Sequence, residues 1–438
     1  ISDTGIIVCE GYDSEIIEKV YRKYDNLTIT VSMKQNGSMD KMVVGSVAES
    51  LLLKPETSDW LRLKEIFENP ALQMATFTIT EKGYQIKNAS GYLPQIKEDM
   101  QVGPEQAKSY MGCLTALCYL RYLAGKLPLA LVSMDNFSHN GDRLKMAVLT
   151  IAEVWEKNNL VEEGFSGYLQ DETKISFPWS MIDKITPRPD SKIKEMLERT
   201  GLEGMDIFTT SANTYIAPFV NAEETEYLVI ENNFPNGRPK LEHAGILFAD
   251  RRTVECVEQM KVCTCLNPLH TGLAIFGCLL SYTSISKEME DPLLRELAVQ
   301  IGQEGMPVVV HPGILEPKQF LHEVLYVRLP NPYIPDTPQR IATDTSQKLS
   351  IRYGETIKAY QKTGKSLEQL RAIPLVIAGW IRYLTGVDDF GNAMELSPDP
   401  RMTEYPILRR NRKWWPDRFW QMHLYLGRIF QRRSWQSR

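Results

Sequence analysis

Pro268 interrupts a stretch that is otherwise helical in pattern, Glu258-Gln-Met-Lys261-Val-Cys-Thr-Cys-Leu-Asn267-Pro-Leu-His270, and limits what the chain can build there. A proline has no N–H to give the carbonyl one turn back, that of Thr264. It suits the first turn of a new helix, with Asn267 before it as an N-cap. The spacing therefore predicts two short helical pieces joined by a break or a π-bulge between Val262 and Leu266. The same stretch gathers a carboxylate, an amine, a carboxamide and an imidazole (Glu258, Lys261, Asn267, His270) and runs straight into apolar Leu273–Leu280. Groups of such different protonation behaviour beside a segment that favours burial suit acid/base chemistry. The plain alternative is an amphipathic helix with a polar exposed face.

With 438 residues the chain has room for two domains and a large core. Its 43% hydrophobic and 24% charged content is that of an ordinary globular protein, and a net charge of −5 argues for neither nucleic acid nor an anionic membrane as partner. Val262–Leu280 is broken by Asn267, Pro268 and His270, short of the roughly 18 apolar residues of a membrane span. The first residues carry no basic-then-apolar signal pattern. Seven cysteines, an odd number in mostly apolar surroundings, predict reduced thiols and a cytoplasmic protein. Cys263 and Cys265 have one spacer residue and no second Cys/His pair nearby, so no metal is expected there.

The first half reads as a sheet with helices. Gly5–Glu10 is an apolar run ending in an acid, and 13–24 has helical spacing. Strand patterns follow at Leu27–Ser32, within 41–53 and at Ala75–Thr80, with helical patterns at 60–67 and 104–125. Leu127–Met134 is continuously apolar, as a strand buried on both faces of a parallel sheet would be. Glu10 fits the strand-end acid that holds ribose hydroxyls in a dinucleotide fold, although no G-x-G-x-x-G precedes or follows it. If Glu10 closes the second strand of such a fold, the first strand and its glycine loop lie before Ile1; otherwise the fold is a different one. The loop Asp135–Asp142 leaves the buried strand where ligands bind in open α/β sheets, and Asn136 there offers both a donor and an acceptor. Its Asn and Gly content also fits a plain turn.

Ser180–Pro189, with two prolines, reads as an ordered link. The expected organisation is a dinucleotide-binding domain over 1–179, a mostly helical domain over 180–402, and a basic, Trp-rich tail over 403–438. Arg340 and Lys348 stand eight residues apart, close to two helical turns, and so face the same way. They suit a polyhydroxy or carboxylate ligand, or else a solvated helix face.

Together, Thr80-Glu-Lys-Gly-Tyr84, Asp135-Asn136 with Asn140-Gly141, Asp183-Lys-Ile-Thr-Pro187, Glu258 with Lys261, Asn267 and His270, and Arg340 with Lys348 resemble, in order, the polyol-specific long-chain dehydrogenases. That family includes mannitol 2-dehydrogenase and fructuronate (mannonate) reductase, and the likeness runs from about residue 5 to 400. It implies an α/β N-terminal Rossmann-type domain plus a mostly α-helical C-terminal domain, and metal-independent hydride transfer between NAD(P) and a secondary alcohol. It further implies that Lys261 is the general acid/base, that Asn136 and Asn267 stabilise the oxyanion, and that His270 is a substrate ligand. Glu258 becomes a proton relay, and Asp183, Arg340 and Lys348 substrate contacts. Glu10, Thr80, Glu81 and Asn136 fall on the cofactor side. The family usually has four residues between the Lys and the Asn where this chain has five, Val262–Leu266. At about 100° per residue, one insertion in an unbroken helix would swing Lys261 away from His270 by roughly a quarter turn. After Met402 the sequence does not resemble the family's C-terminus, and a misread tail is expected, with a nucleic-acid arm as the alternative.

The resulting expectation is an NAD-dependent enzyme acting on a sugar acid of the D-fructuronate/D-mannonate type, because an acid at Glu10 repels a 2′-phosphate. A mannitol 2-dehydrogenase is the alternative, and a sugar-acid or nucleotide-binding protein without turnover is the alternative from another class. The partner is a small molecule, neither nucleic acid nor membrane, and the sequence sets no oligomeric state.

Overall fold

The structure, a computed structural model, describes residues 5–401. They fall into two compact units. One runs through Val254 except for Lys34–Ser38, which group with the other unit, from Glu255 on.

The first unit holds strands β1 (Ile6–Glu10), β2 (Thr28–Met33), β3 (Met39–Val44), β4 (Val47–Leu52), β5 (Met74–Phe77), β6 (Leu129–Ser133), β7 (Ile175–Ser176), β8 (Ser180–Asp183), β9 (Phe219–Glu223), β10 (Tyr227–Glu231) and β11 (Leu247–Ala249). β1 pairs in parallel with β4, and β5, β6 and β7 form a second parallel set. β10 lies antiparallel to β8 and parallel to β11. β2 joins β9 in parallel and β3 in an antiparallel hairpin. Every residue of β6 is buried, as its unbroken apolar run predicts.

Helices α1 (Ser58–Glu68), α2 (Tyr110–Leu123) and α3 (Asn140–Lys157) cover the parallel strands. α3 buries Leu144, Ala147, Val148, Ile151, Ala152 and Trp155, one face of a helix by spacing, in the core shared with α2 and β6. Arg121 of α2 is fully buried and donates to the carbonyls of Phe67, Asn69, Leu72 and Pro128, tying the approach to β5 to that of β6.

The boundary expected at 179/180 is corrected. Ser180–Asp183 is a strand, paired residue for residue with Tyr227–Ile230, so 180–254 complete the first unit rather than open the helical one. The short link there is held by Asn140, whose amide donates to the carbonyls of Asp135 (3.0 Å) and Ser180 (3.0 Å) while its oxygen accepts from the Ser180 N–H (3.0 Å).

In the second unit α4 (Arg251–Met260, which begins in the first) leads through a π turn, Lys261–Cys265, into α5 (Asn267–Leu279). Further helices are α6 (Pro292–Gly305), α7 (Pro338–Ile341), α8 (Thr345–Leu349), α9 (Glu355–Lys362) and α10 (Ala372–Tyr383). α5 is the core: Leu269, Leu273, Ala274, Ile275, Phe276 and Leu279 are all fully buried. By length and hydropathy the 29 residues Arg251–Leu279 are enough to cross a membrane, but 78% of their apolar window is buried within the protein, as a core helix would be. The tail expected over 403–438 lies outside the described residues.

Replacing Asn140 by Ala removes a buried amide that satisfies backbone groups on two strands. Chemical denaturation of Asn140→Ala is expected to show a loss of about 3 kcal/mol; a loss below about 0.5 kcal/mol would contradict this role.

Candidate active site

On the first unit, Glu10 ends β1, and its Oε1 accepts from the Tyr12 and Asp13 N–H groups at 2.6 and 3.2 Å. Oε2 takes no hydrogen bond among the described residues. Glu10 lines a cleft of about 570 Å³ with Gly11, Tyr12, Leu53 and Gln106, beyond the carboxyl ends of β1 and β4. Gly11 is required for close approach, since a Cβ there would lie 2.8 Å from the Tyr110 ring. That ring also packs edge-on to Phe77 at the end of β5. Burial pushes the Tyr110 hydroxyl well above its ordinary pKa, and the charges of Glu10 and Asp135 add to this. Tyr110 thus links the end of β1 to the ends of β5 and β6. The cleft and the half-satisfied carboxylate fit the adenosine ribose of a dinucleotide.

At the ends of β5 and β6, Asp135 accepts from the Ile79 N–H (2.9 Å), the Thr80 N–H (3.0 Å) and the Tyr84 hydroxyl (2.6 Å). This closes the turn in which Thr80 adopts a positive φ of 60°. Thr80, Glu81 and Asn136 are exposed there, and Glu81 faces Arg143 at 4.0 Å. Asp183 is buried at the end of β8.

On the second unit the π turn appears where Pro268 predicts it. The Leu266 N–H donates to the Lys261 carbonyl (3.1 Å), five residues back, and the α pattern resumes with His270 N–H to Leu266 O (3.1 Å). Five residues thereby occupy the place of four, and the inserted residue does not rotate Lys261 relative to α5 as it would in an unbroken helix. Asn267 is not the N-cap expected: it is the first residue of α5, and no side chain caps that helix. Pro268 leaves the carbonyls behind it short of a donor, and the Thr356 hydroxyl donates to that of Cys263 at 3.1 Å. The α6 end packs against the turn closely enough that a Cβ on Gly305 would stand 2.8 Å from Thr264 Cγ2.

Lys261 is 2% exposed, Glu258 half-buried on α4, and Asn267 and His270 half-buried on α5. His270 Nε2 lies 3.1 Å from Asp336 Oδ2, close enough for an ion pair when the ring is protonated but without the alignment of a hydrogen bond. The other Asp336 oxygen binds Arg340. Lys348 donates to the carbonyls of Ile341 (3.1 Å) and Thr343. Burial pushes its amine down to about 8, assisted by the charge of Arg352. Arg352, on a second π turn at Ser350–Gly354, donates to Thr271 Oγ1 and to the Asn267 carbonyl (3.5 Å), while the Tyr353 hydroxyl donates to the Pro268 carbonyl (2.5 Å). The structure therefore joins His270 to Arg340 through Asp336, and Lys348 to Asn267 through Arg352. Asp336 and Arg352 were not singled out in the sequence. Arg352 had a signal, the i,i+4 spacing from Lys348; Asp336 sits after a proline-rich break with none.

Cys263 and Cys265 are pushed up to about 11 and about 12 by burial, and the Cys265 thiol donates to the Pro317 carbonyl at 3.6 Å. They behave as protonated packing groups.

Residues 3–243 match the mannitol dehydrogenase Rossmann domain and residues 253–413 the mannitol dehydrogenase C-terminal domain. The second match passes Met402, so the likeness extends further than the sequence reading placed it. The chain is 58% identical over 402 residues to the D-mannonate oxidoreductase of Thermotoga maritima, covering 91% of this chain and 74% of that protein. It is 30% identical over 415 residues to the D-mannonate oxidoreductase of Escherichia coli, covering 92% and 78%. Among solved structures it is similar to the Pseudomonas fluorescens mannitol 2-dehydrogenase ternary complex with NAD and D-mannitol, at 26% identity and a TM-score of 0.66 over 92% of this chain and 77% of that one. Its fold is also that of a substrate-free D-sorbitol dehydrogenase, at 24% identity and a TM-score of 0.78 over 95% and 79%. These matches span both units, and the chain belongs to the mannitol dehydrogenase family.

Proposed function

We propose that this chain is an NAD-dependent oxidoreductase interconverting a keto sugar acid of the D-fructuronate type with its alcohol, D-mannonate. The observation that carries the chemistry is the buried Lys261 on a π turn that leads directly into Asn267 and His270. The substrate reading is supported by the 58% identity to a D-mannonate oxidoreductase. Seven thiols, all free, support the cytoplasmic location.

Bound NAD supplies the hydride acceptor for the carbinol carbon. Glu10 holds the ribose hydroxyls with its second oxygen and disfavours a 2′-phosphate, and Thr80, Glu81 and Asn136 stand on the same unit as cofactor contacts. Lys261, as the neutral amine, takes the hydroxyl proton as hydride leaves. Glu258, three residues earlier and so on the same helical face, passes that proton toward solvent. The carboxamides of Asn267 and Asn136 donate to the developing oxyanion without changing charge. His270, braced by Asp336, holds a substrate hydroxyl, as does Asp183 on the first unit. Arg340 and Lys348 anchor the polar end of the sugar acid.

The purified protein is expected to oxidise NADH with D-fructuronate and to reduce NAD with D-mannonate; no turnover across a panel of hexuronates and ketoses would sink the proposal. Lys261→Ala is expected to lower kcat on the order of 1,000-fold, and a loss under tenfold would remove Lys261 from this role. Because Lys348 gives up its proton above about pH 8, affinity for an anionic substrate is expected to be full below that pH and to fall above it. The ratio of kcat/KM for D-mannonate to that for neutral D-mannitol, followed from pH 7 to 9.5, reads this directly, and a flat ratio would contradict it.

A further inference from the structure

Among the described residues, two of the three cations gathered in the second unit make no ion pair, although Asp344 and Asp399 lie near enough to Lys348 to act on its charge. Arg340 is neutralised by Asp336, which it shares with His270. Lys348 donates only to backbone carbonyls, and Arg352 only to the Thr271 hydroxyl and the Asn267 carbonyl. Among the described residues neither has a carboxylate within 4.0 Å, and Nε and Nη2 of Arg352 have no hydrogen-bond partner. The Arg352 guanidinium is pushed down to about 10 by burial. A half-buried guanidinium whose only acceptors are neutral costs stability, and a neutral amide would also donate to Asn267 and Thr271 without that cost. The unmet charge points to an anionic ligand. Lys348 and Arg352 are four residues apart on one helical face, and Arg352 grips the backbone of Asn267, three residues before His270.

We propose that Arg352, together with Lys348, receives the carboxylate of the substrate and makes this site selective for sugar acids over neutral polyols. The proposal rests on the sugar-acid reading above and names the group that enforces it. The planar guanidinium offers two parallel N–H donors to a carboxylate, and the Lys348 amine adds a point charge beside them. A neutral polyol has no group to compensate both cations on leaving water, so it binds less well at this end.

The test is steady-state kinetics of Arg352→Gln and Arg352→Lys with D-mannonate and with D-mannitol, each variant checked by thermal melting. Arg352→Gln is expected to lower kcat/KM for D-mannonate on the order of 100-fold, mainly through KM, and to lower kcat/KM for D-mannitol at least about tenfold less, because any disturbance of the Asn267 tether is common to both substrates. Arg352→Lys keeps the charge and is expected to raise KM for D-mannonate by about tenfold. If Arg352→Gln does not fold, the Arg352→Lys result decides by the same split. Equal losses with acid and polyol, or an unchanged KM for D-mannonate, would overturn the proposal. Wild-type protein without turnover of D-mannonate would instead overturn the sugar-acid reading itself.

Discussion

The bond from the Leu266 N–H to the Lys261 carbonyl, reaching five residues instead of four, is the contact on which the candidate site depends. It takes up, before α5 begins, a residue that an α-helix would convert into a rotation. The cost of such a turn is a set of carbonyls with poor partners, and here the surrounding elements meet it. Thr356, Tyr353 and Arg352 reach the carbonyls of Cys263, Pro268 and Asn267 from a second π turn and the helix after it. The two π turns are therefore mutually supporting, and each places a basic side chain, Lys261 or Arg352, beside the start of α5. The residues proposed for proton transfer and for carboxylate binding are held by one backbone device.

The first unit solves a different problem, holding loops at the ends of strands that belong to separate parallel sets. Asp135 closes the turn at Thr80, Asn140 fastens the loop carrying Asn136 to β8, and the Tyr110 ring fills the space against Gly11. All three act through hydrogen bonds or packing at the strand ends, so the exposed groups Thr80, Glu81 and Asn136 ride on a braced frame. Glu10 is held similarly, by two backbone N–H groups on one oxygen.

What could be read in the sequence followed from local rules. Pro268 predicts the π turn because a missing N–H has an immediate consequence, and the apolar run at β6 predicts burial on both faces. The domain boundary was misplaced because β8 pairs with residues over forty positions later, Asp183 with Tyr227, and no local pattern records that partner. The same holds for Asp336, whose importance lies in bridging His270 and Arg340 across a long loop. Asn136 and Asn140 look alike in sequence, but Asn140 is buried and hydrogen-bonded to the backbone, whereas Asn136 is exposed.

The central claim is that five residues in a π turn are equivalent to four in an α-helix for aiming Lys261 at the groups of α5. Deleting Cys263 from the turn and, separately, inserting one Ala after Cys263 tests it through kcat with D-mannonate. The deletion is expected to let the turn close as plain α-helix and to keep kcat within about tenfold, because the relative orientation is retained. The insertion adds a rotation of about 100° and is expected to abolish turnover. A folded deletion variant without activity, or an insertion variant with full activity, would contradict the account.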